Sequence, residues 1–422
     1  MTYQVINFGC RLNSFEGEVI KKALGGAAPA GEVIVLNSCA VTQEAEKQLR
    51  QTIRKTRRQK PDASIIVTGC AAQINPDFYA TMPEVDHVLG NIEKLESASY
   101  QSLLPHIEQE SRPKAQVQDI MMIKETAAHL VSSFEGKTRA FLEIQNGCNH
   151  RCTFCIIPFG RGNNRSVPLG DIVERVRELV ANGFKEVVLT GVDISGYGED
   201  LPGQPTLTEA IRRILKLVPE LSRLRLSSVD VAELSEDFLS LLTAEPRLMP
   251  HLHLSIQAGD DMILKRMKRR HLRQDVFDFC AKAKRLRPDI VFGADIITGF
   301  PTETEEMFQN TLDLVEQIGI PYLHVFPYSA RQGTPAAKMP QVPVADRKSR
   351  AARLRALGTT IFCSFLEKKI GNTYDILIES SGMGRTEDHA EIKLEGEFDV
   401  GSLIKATVTH LEDGVLYGRV TG

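Results

Sequence analysis

Short apolar, β-branched runs alternate with longer polar stretches of helical period along the first seventy residues. Tyr3 to Phe8, Glu32 to Leu36 and Ser64 to Val67 read as buried strands. Ser14 to Leu24 and Thr42 to Arg58 between them read as helices, the second with Thr42 as N-cap and Glu44 and Glu46 in its first turn. Strand–helix–strand alternation implies a parallel sheet, a Rossmann-like α/β domain over 1–125.

After Gly136 the same alternation resumes. Strands are expected at Arg139 to Gln145, Glu186 to Thr190, Arg223 to Ser227, His251 to Ile256, Val291 to Ile297 and Tyr322 to Phe326. Helices are expected at Asp171 to Asn182, Leu207 to Leu217, Leu234 to Thr243, Val276 to Arg287 and Glu303 to Ile318. Six β/α units are fewer than the eight of a closed barrel. This second domain spans 136–360. From Gly371 the period shortens to strands at Tyr374 to Ile378, Ala390 to Leu394, Leu403 to Leu411 and Val415 to Val420, separated by turn residues such as Gly396 and Asp413-Gly414. A small all-β barrel over 368–422 is expected.

The strand ends carry the chemistry. Gly9-Cys10, Asn37-Ser38-Cys39 and Thr68-Gly69-Cys70 each follow one of the first three strands. In parallel sheets ligands sit beyond the carboxyl ends of strands, so these cysteines can converge despite their separation in sequence. A second set, Cys148, Cys152 and Cys155, follows the strand at Arg139 in a C-x3-C-x2-C spacing. Cubane iron–sulfur clusters are held by thiolates, and three thiolates leave one iron open. Each set is therefore expected to hold a cluster with an open iron. A zinc knuckle using His150 is the competing reading for the second set, but no further ligand pair follows at finger spacing. Cys280 and Cys363 fall outside both sets and read as buried or helix-face thiols.

With 42% hydrophobic and 25% charged residues, the chain has the composition of a soluble globular protein. No apolar run approaches membrane-spanning length, and the start reads as a strand and not as a signal peptide. A cytoplasmic protein with reduced thiols is expected. The net charge of −3 hides three basic runs: Lys47 to Lys60 with seven Lys/Arg, Lys265 to Arg273 with six and Arg347 to Arg355 with five. Basic runs are usually solvated helix faces, but several in a chain of balanced charge raise the prospect of a polyanion partner. Residues 371–422 go the other way, with ten Asp/Glu against four Lys/Arg.

The C-x3-C-x2-C loop, with Phe154 before its last cysteine, resembles that of radical S-adenosylmethionine enzymes. Gly299-Phe300-Pro301-Thr302-Glu303 resembles their G-x-P-x-E turn near the adenine. With the N-terminal cysteine set and a terminal barrel that resembles the TRAM RNA-binding module, the whole chain resembles the methylthiotransferases. The resemblance implies an open (β/α)6 partial TIM barrel and two 4Fe–4S clusters. One, on Cys148, Cys152 and Cys155, cleaves S-adenosylmethionine; the other, on Cys10, Cys39 and Cys70, carries the sulfur. It implies that a 5′-deoxyadenosyl radical activates a carbon–hydrogen bond beyond the reach of acid–base catalysis, the cofactor doing the hard step while the protein aims it. Gly191, Asp193, Ser228, Gln257, Asp295, Gly299 and Pro301, at or near strand ends, are the expected S-adenosylmethionine contacts. Three branches of the family act on isopentenyladenosine in tRNA, on N6-threonylcarbamoyladenosine in tRNA, or on an aspartate of a ribosomal protein. Gly9-Cys10-Arg11-Leu12-Asn13 and His324-Val325-Phe326-Pro327-Tyr328-Ser329 resemble the threonylcarbamoyl branch. Its partners would be a tRNA anticodon stem-loop and an electron donor such as a flavodoxin or ferredoxin, the enzyme acting as a monomer. Arg161 and Arg165 are expected to meet phosphate or the threonyl carboxylate, a group arginine suits, and Arg266 and Arg269 to meet RNA. A non-catalytic iron–sulfur RNA-binding or redox-sensing protein is the alternative from another class.

Overall fold

The structure, a computed structural model, describes residues 3–27, 31–103, 114–124 and 138–421. The expected domain limits at 125 and 136 lie outside the described residues. The chain divides into two compact units. The first comprises Met1–Val131, Glu143–Val167 and Ser329–Thr334; the second comprises Ser132–Leu142, Pro168–Tyr328 and Pro335–Gly422.

The first unit is built on a five-stranded parallel sheet. In chain order its elements are β1 (Tyr3–Asn7), α1 (Arg11–Ala27), β2 (Val33–Ser38), α2 (Gln43–Gln59), β3 (Ser64–Gly69), α3 (Cys70–Ile74), α4 (Pro76–Ala80), β4 (His87–Leu89), α5 (Ser97–Leu103) and β5 (Ala115–Gln116). Every residue of β2 and β3 is buried. Val35 and Ile66 pack with Ile20 and Leu24 of α1 and Tyr100 of α5, while Leu36 and Val67 pack with Leu49 and Ile53 of α2. Continuous apolar strands covered on both faces are what a parallel sheet requires. Strand order is β1-β2-β3-β4-β5, without reversal. The sheet therefore lacks the switch-point crevice of a doubly wound fold. What it offers is three neighbouring strand ends in a row.

β6 (Arg139–Asn146) carries the chain from the second unit into the first, where α6 (Ile157–Arg161) and β7 (Arg165–Ser166) follow. The second unit continues through α7 (Leu169–Ala181), β8 (Glu186–Gly191), α8 (Leu207–Leu217), β9 (Arg223–Leu226), β10 (Ser228–Val229), α9 (Glu236–Ala244), β11 (His251–Gln257), α10 (Asp261–Met267), α11 (Arg273–Leu286), β12 (Val291–Thr298), α12 (Glu305–Ile318), β13 (Tyr322–Pro327) and α13 (Val344–Glu367). β10 to β13 pair in parallel, as do β8 and β9, and only Ser227 separates β9 from β10. The six expected strands are all present. α12 starts two residues later than expected, because Thr304 caps it by accepting from Met307 N–H while Glu303 turns back to Gly299. α13 was not foreseen, and it runs through the expected domain end at 360.

β14 (Thr373–Ser380), β15 (Met383–Arg385), β16 (Glu391–Leu394), β17 (Leu403–Glu412) and β18 (Val415–Val420) close into a barrel of order β14-β15-β16-β18-β17. Ile376, Ile378, Ile392, Ala406, Val408 and Leu416 fill it. Arginines tie it to the strands of the same unit. Arg223 donates to Asp375 O and Arg225 to Glu387 O, and Arg139 pairs with Glu379 at 2.8 Å. Among the described residues no helix is long and apolar enough to cross a membrane.

Candidate metal centres

β1, β2 and β3 are adjacent and parallel, so Cys10, Cys39 and Cys70 lie beyond the same edge of the sheet. Two glycines permit their approach. Gly9 has φ +89°, and a Cβ there would sit 2.5 Å from Cys39 Cβ and 2.6 Å from its Sγ. Gly69 has φ +92°, and a Cβ there would sit 2.4 Å from both Ser38 N and Ser38 O. Any side chain at either place would force the turns apart. Asn13 staples the same edge, donating to Phe8 O at 2.7 Å and Ser38 O at 2.9 Å. Burial pushes the Cys39 thiol up to about 12, and the neighbouring Cys70 and Cys10 add to the rise. Cys10, exposed at its own surface, is also raised, by desolvation first, with Arg161 opposing. Thiols that oppose one another's ionisation fit a metal group, which takes cysteine as thiolate.

The second set occupies a loop pinned on both sides. Gly147 has φ +72°, and a Cβ there would lie 1.9 Å from Asn163 O. Cys148 N–H donates to Gly162 O at 3.1 Å, and Gln145 Nε2 donates to Gly147 O and Asn164 Oδ1, both at 2.6 Å. Arg151 reaches from Cys148 O at 2.8 Å to Asn163 Oδ1 at 2.7 Å. His150 N–H donates to Cys148 Sγ at 3.4 Å, and Cys155 N–H closes a turn on Cys152 O at 3.1 Å. Amide donors to sulfur are among the protein's levers on a cluster. All three thiols are half-buried. The loop and α6 belong to the same compact unit as the first set. Gly160 of α6 lies so near Cys70 that a Cβ would stand 3.2 Å from the cysteine's own, and Asn91 donates to both Cys70 Sγ and Gly160 O.

The expected phosphate or carboxylate ligands Arg161 and Arg165 are placed otherwise. Both are buried, at 3% and 2% exposure. Arg161 forks onto Glu16 at 2.7 and 2.9 Å and donates to Asn13 Oδ1 at 2.6 Å, while Arg165 donates to the carbonyls of Arg161 and Asn163. Neither is spent on the surface. Arg269 is likewise committed, to Asp230 and Ser255 O, and Arg266 donates to Thr302 O at 3.4 Å.

In the second unit Gly191 ends β8, Asp193 leads into a 3-10 turn at Ile194–Gly196, Ser228 opens β10 and Gln257 ends β11 with φ +71° beside a bulge. Asp295 lies mid-strand in β12, where His253 Nε2 and His324 Nδ1 each approach its Oδ1 to 3.1 Å. Burial would raise its carboxyl, but these two histidines hold it well below the usual range. Gly299 has φ +68° with Arg347 packed where a Cβ would be; its N–H donates to Glu303 at 2.7 Å, and Pro301 is buried in the turn so closed. Sequence reading missed Glu16, Asn91, Lys94, Glu143 and His253, and took His324 only as part of a branch motif. Only the first had a signal, standing one turn beyond Asn13 on the helix that follows Cys10.

Residues 142–315 match the Radical SAM superfamily, and residues 2–90 match a family described as uncharacterized protein family UPF0004. The chain is 52% identical over 413 residues to the threonylcarbamoyladenosine tRNA methylthiotransferase MtaB of Rickettsia prowazekii (strain Madrid E), covering 98% of this chain and 96% of that one. It is 37% identical to the enzyme of the same name from Aquifex aeolicus (strain VF5), covering 95% and 98%. Among solved structures it resembles the radical S-adenosylmethionine methyltransferase TsrM of Kitasatospora setae with a TM-score of 0.57, 15% identity, and coverage of 80% and 77%. That likeness speaks to the fold. The first two comparisons settle the lineage: the chain belongs to the threonylcarbamoyladenosine tRNA methylthiotransferase family.

Proposed function

We propose that this chain converts N6-threonylcarbamoyladenosine next to the tRNA anticodon to its 2-methylthio derivative. The observation that carries the reading is two three-cysteine sets in one compact unit, each on turns that only glycine permits, in a chain 52% identical to an enzyme named for this activity. Cys148, Cys152 and Cys155 would hold one 4Fe–4S cluster, and Cys10, Cys39 and Cys70 the other. When bound, the clusters and S-adenosylmethionine supply radical generation and sulfur transfer, chemistry that side chains lack. The protein's own work is to hold and aim. Gly147 and Gly162 keep the Cys148 loop tight, Asn13 and Asn91 position the N-terminal set, and Gly191, Asp193, Ser228, Gln257, Asp295, Gly299 and Pro301 are our candidates for S-adenosylmethionine contacts. The domain reading is 1–125, 136–360 and 368–422, and we read the protein as a cytoplasmic monomer served by a flavodoxin- or ferredoxin-type donor.

Mass spectrometry of tRNA nucleosides from cells lacking the gene tests the reading. Loss of 2-methylthio-N6-threonylcarbamoyladenosine supports it. Loss of the isopentenyl form moves the substrate to the sister branch, and an unchanged tRNA profile removes tRNA as substrate. In the purified enzyme Cys152→Ala abolishes S-adenosylmethionine cleavage. Cys39→Ala keeps cleavage and loses methylthiolation; full methylthiolation by that variant would contradict the role given to the N-terminal set.

A further inference from the structure

Between the two cysteine sets the first unit holds a buried ionic core with unequal charges. Arg161 is 3% exposed and Lys94 0%, against Glu16 at 1%. Lys94 Nζ donates to Glu16 Oε2 at 2.7 Å and Asn37 Oδ1 at 3.3 Å, while Arg161 takes both oxygens of the same carboxylate. One carboxylate thus answers two cations. A second acid, Glu143, is also buried, but it accepts from the neutral Asn146 at 2.8 Å and its Oε2 has no hydrogen-bond partner among the described residues. Isolation of that kind disfavours its ionised form. The remaining partners, Asn13, Asn37 and Asn146, are neutral amides. Burial works against the charge of Lys94 as well, so a further anion beside Arg161 and Lys94 would complete this core. The cysteines are candidates: Cys70 and Cys10 both act on Arg161, and Cys70 acts on Lys94.

We propose that Arg161 is a positioning residue whose buried charge balances the N-terminal cysteine site and sets the reduction potential of the cluster held there. The inference rests on Cys10, Cys39 and Cys70 being that cluster's ligands. A cubane on three thiolates gains negative charge on reduction, and net charge is one of the terms that fix its potential. Arg161 lies on this electrostatic path by geometry as well as by charge. Its Nη2 holds Asn13, whose Oδ1 lies 3.9 Å from Cys10 Sγ, and its Nη1 reaches Asn146 Oδ1 at 3.4 Å, two residues before Cys148. α6, which Arg161 ends, packs through Gly160 on Cys70. Removing the positive charge destabilises the reduced cluster and lowers its potential. Removing the Glu16 negative charge does the reverse.

The test is a potentiometric titration of the fully reconstituted protein followed by electron paramagnetic resonance. The signal that S-adenosylmethionine does not perturb is that of the N-terminal cluster. For Arg161→Gln we expect the reduced-to-oxidised ratio at a fixed poise to fall at least tenfold, which for one electron is about 59 mV. Arg161→Lys, which keeps the charge and loses the fork, stays near wild type. Glu16→Gln shifts the ratio upward. The proposal is overturned if Arg161→Gln loads both clusters with an unchanged potential, if the Lys and Gln variants behave alike (failure to take up iron included), or if Glu16→Gln moves in the same direction as Arg161→Gln. A Cys39→Ala control that keeps both signals would place the fault in the ligand assignment instead, and neither result depends on which nucleoside is modified.

Discussion

At the scale of single residues, Gly9 and Glu143 show how much of the centre depends on groups that are not ligands. Gly9 is the only residue type that fits its turn, because its φ is positive and Cys39 Cβ lies where a methyl would go. Gly9→Ala should push Cys39 off the edge shared with Cys10 and leave the other loop alone. We expect the purified variant to hold about half the wild-type iron, one cluster of two, and still to cleave S-adenosylmethionine. Wild-type iron content would show that the turn can yield. Glu143 offers a test by pH. Burial first, and then the charge of Glu16, push its carboxyl up to about 7. A free glutamate titrates at about 4.3, so the folded state holds the proton more tightly. Its stabilising effect is complete below that value and is lost as pH rises toward 7. Glu143→Gln, which cannot ionise, should match wild type in thermal unfolding at pH 5 and exceed it at pH 8, by on the order of 1–3 kcal/mol. Equal curves at pH 8 would mean that Glu143 is ionised and paired. The cysteines were legible because iron chemistry constrains residue type and spacing together. Glu143 was not, because an acid at the middle of an apolar strand reads like any polar interruption until its surroundings are known.

At the scale of elements, strand positions were read well and the ties between elements poorly. β2, β3 and four of the five barrel strands are short apolar runs bounded by turn residues, a local signal, whereas β15, only Met-Gly-Arg, carries no such run and was missed. α13 escaped notice because its buried stripe is thin and its first half is interrupted by four arginines. The structure shows what those arginines do: Arg350 pairs with Glu303 at 2.8 Å, Arg347 donates to Tyr328 O at 3.0 Å and Arg355 to Val325 O at 2.8 Å. A run that suggested polyanion binding is largely occupied in fastening α13 to the strands and turns of its own unit. The same holds under the C-terminal barrel. Glu186 of β8 is 1% exposed and faces Arg225 at 2.7 Å and Arg223 at 3.6 Å. Burial would raise its carboxyl, but the charge and hydrogen bonds of Arg225, with Arg139 and Arg223 beyond, hold it down. Glu186→Gln would leave those guanidiniums buried without their counter-charge, a loss of about 3–5 kcal/mol. Calorimetry should show the transition of the second unit lowered while that of the first stays in place. A uniform shift of both would mean that the units do not unfold separately.

For the whole molecule, net charge is a poor guide to where RNA meets the protein. The total of −3 combines an acidic C-terminal segment with a slightly basic remainder. Residue counts gave no way to tell engaged from free cations, since that depends on partners distant in sequence. The structure separates them. In the Lys47 to Lys60 run, Arg57 is bound to Asp86 and to three carbonyls, and Lys60 pairs with Glu32 at 2.6 Å. Lys47, Lys55 and Arg58 are exposed on α2 and have no ion-pair partner among the described residues. Phe8, two residues before Cys10, shares a surface groove with Gln48, Gln51, Thr52 and Lys55. The face of α2 beside the N-terminal cysteine site is therefore the part of the first unit best suited to phosphates. Phosphate contacts release counterions, so they are counted by the salt dependence of binding. Changing Lys47, Lys55 and Arg58 together to Gln should weaken tRNA binding without altering iron content, and should flatten the slope of log affinity against log salt by about 2. Arg353→Gln, which removes an ion pair with Glu305 on the second unit, should leave that slope unchanged. If the triple variant keeps the wild-type slope, α2 is only a solvated helix face and the RNA backbone must be held by other cations.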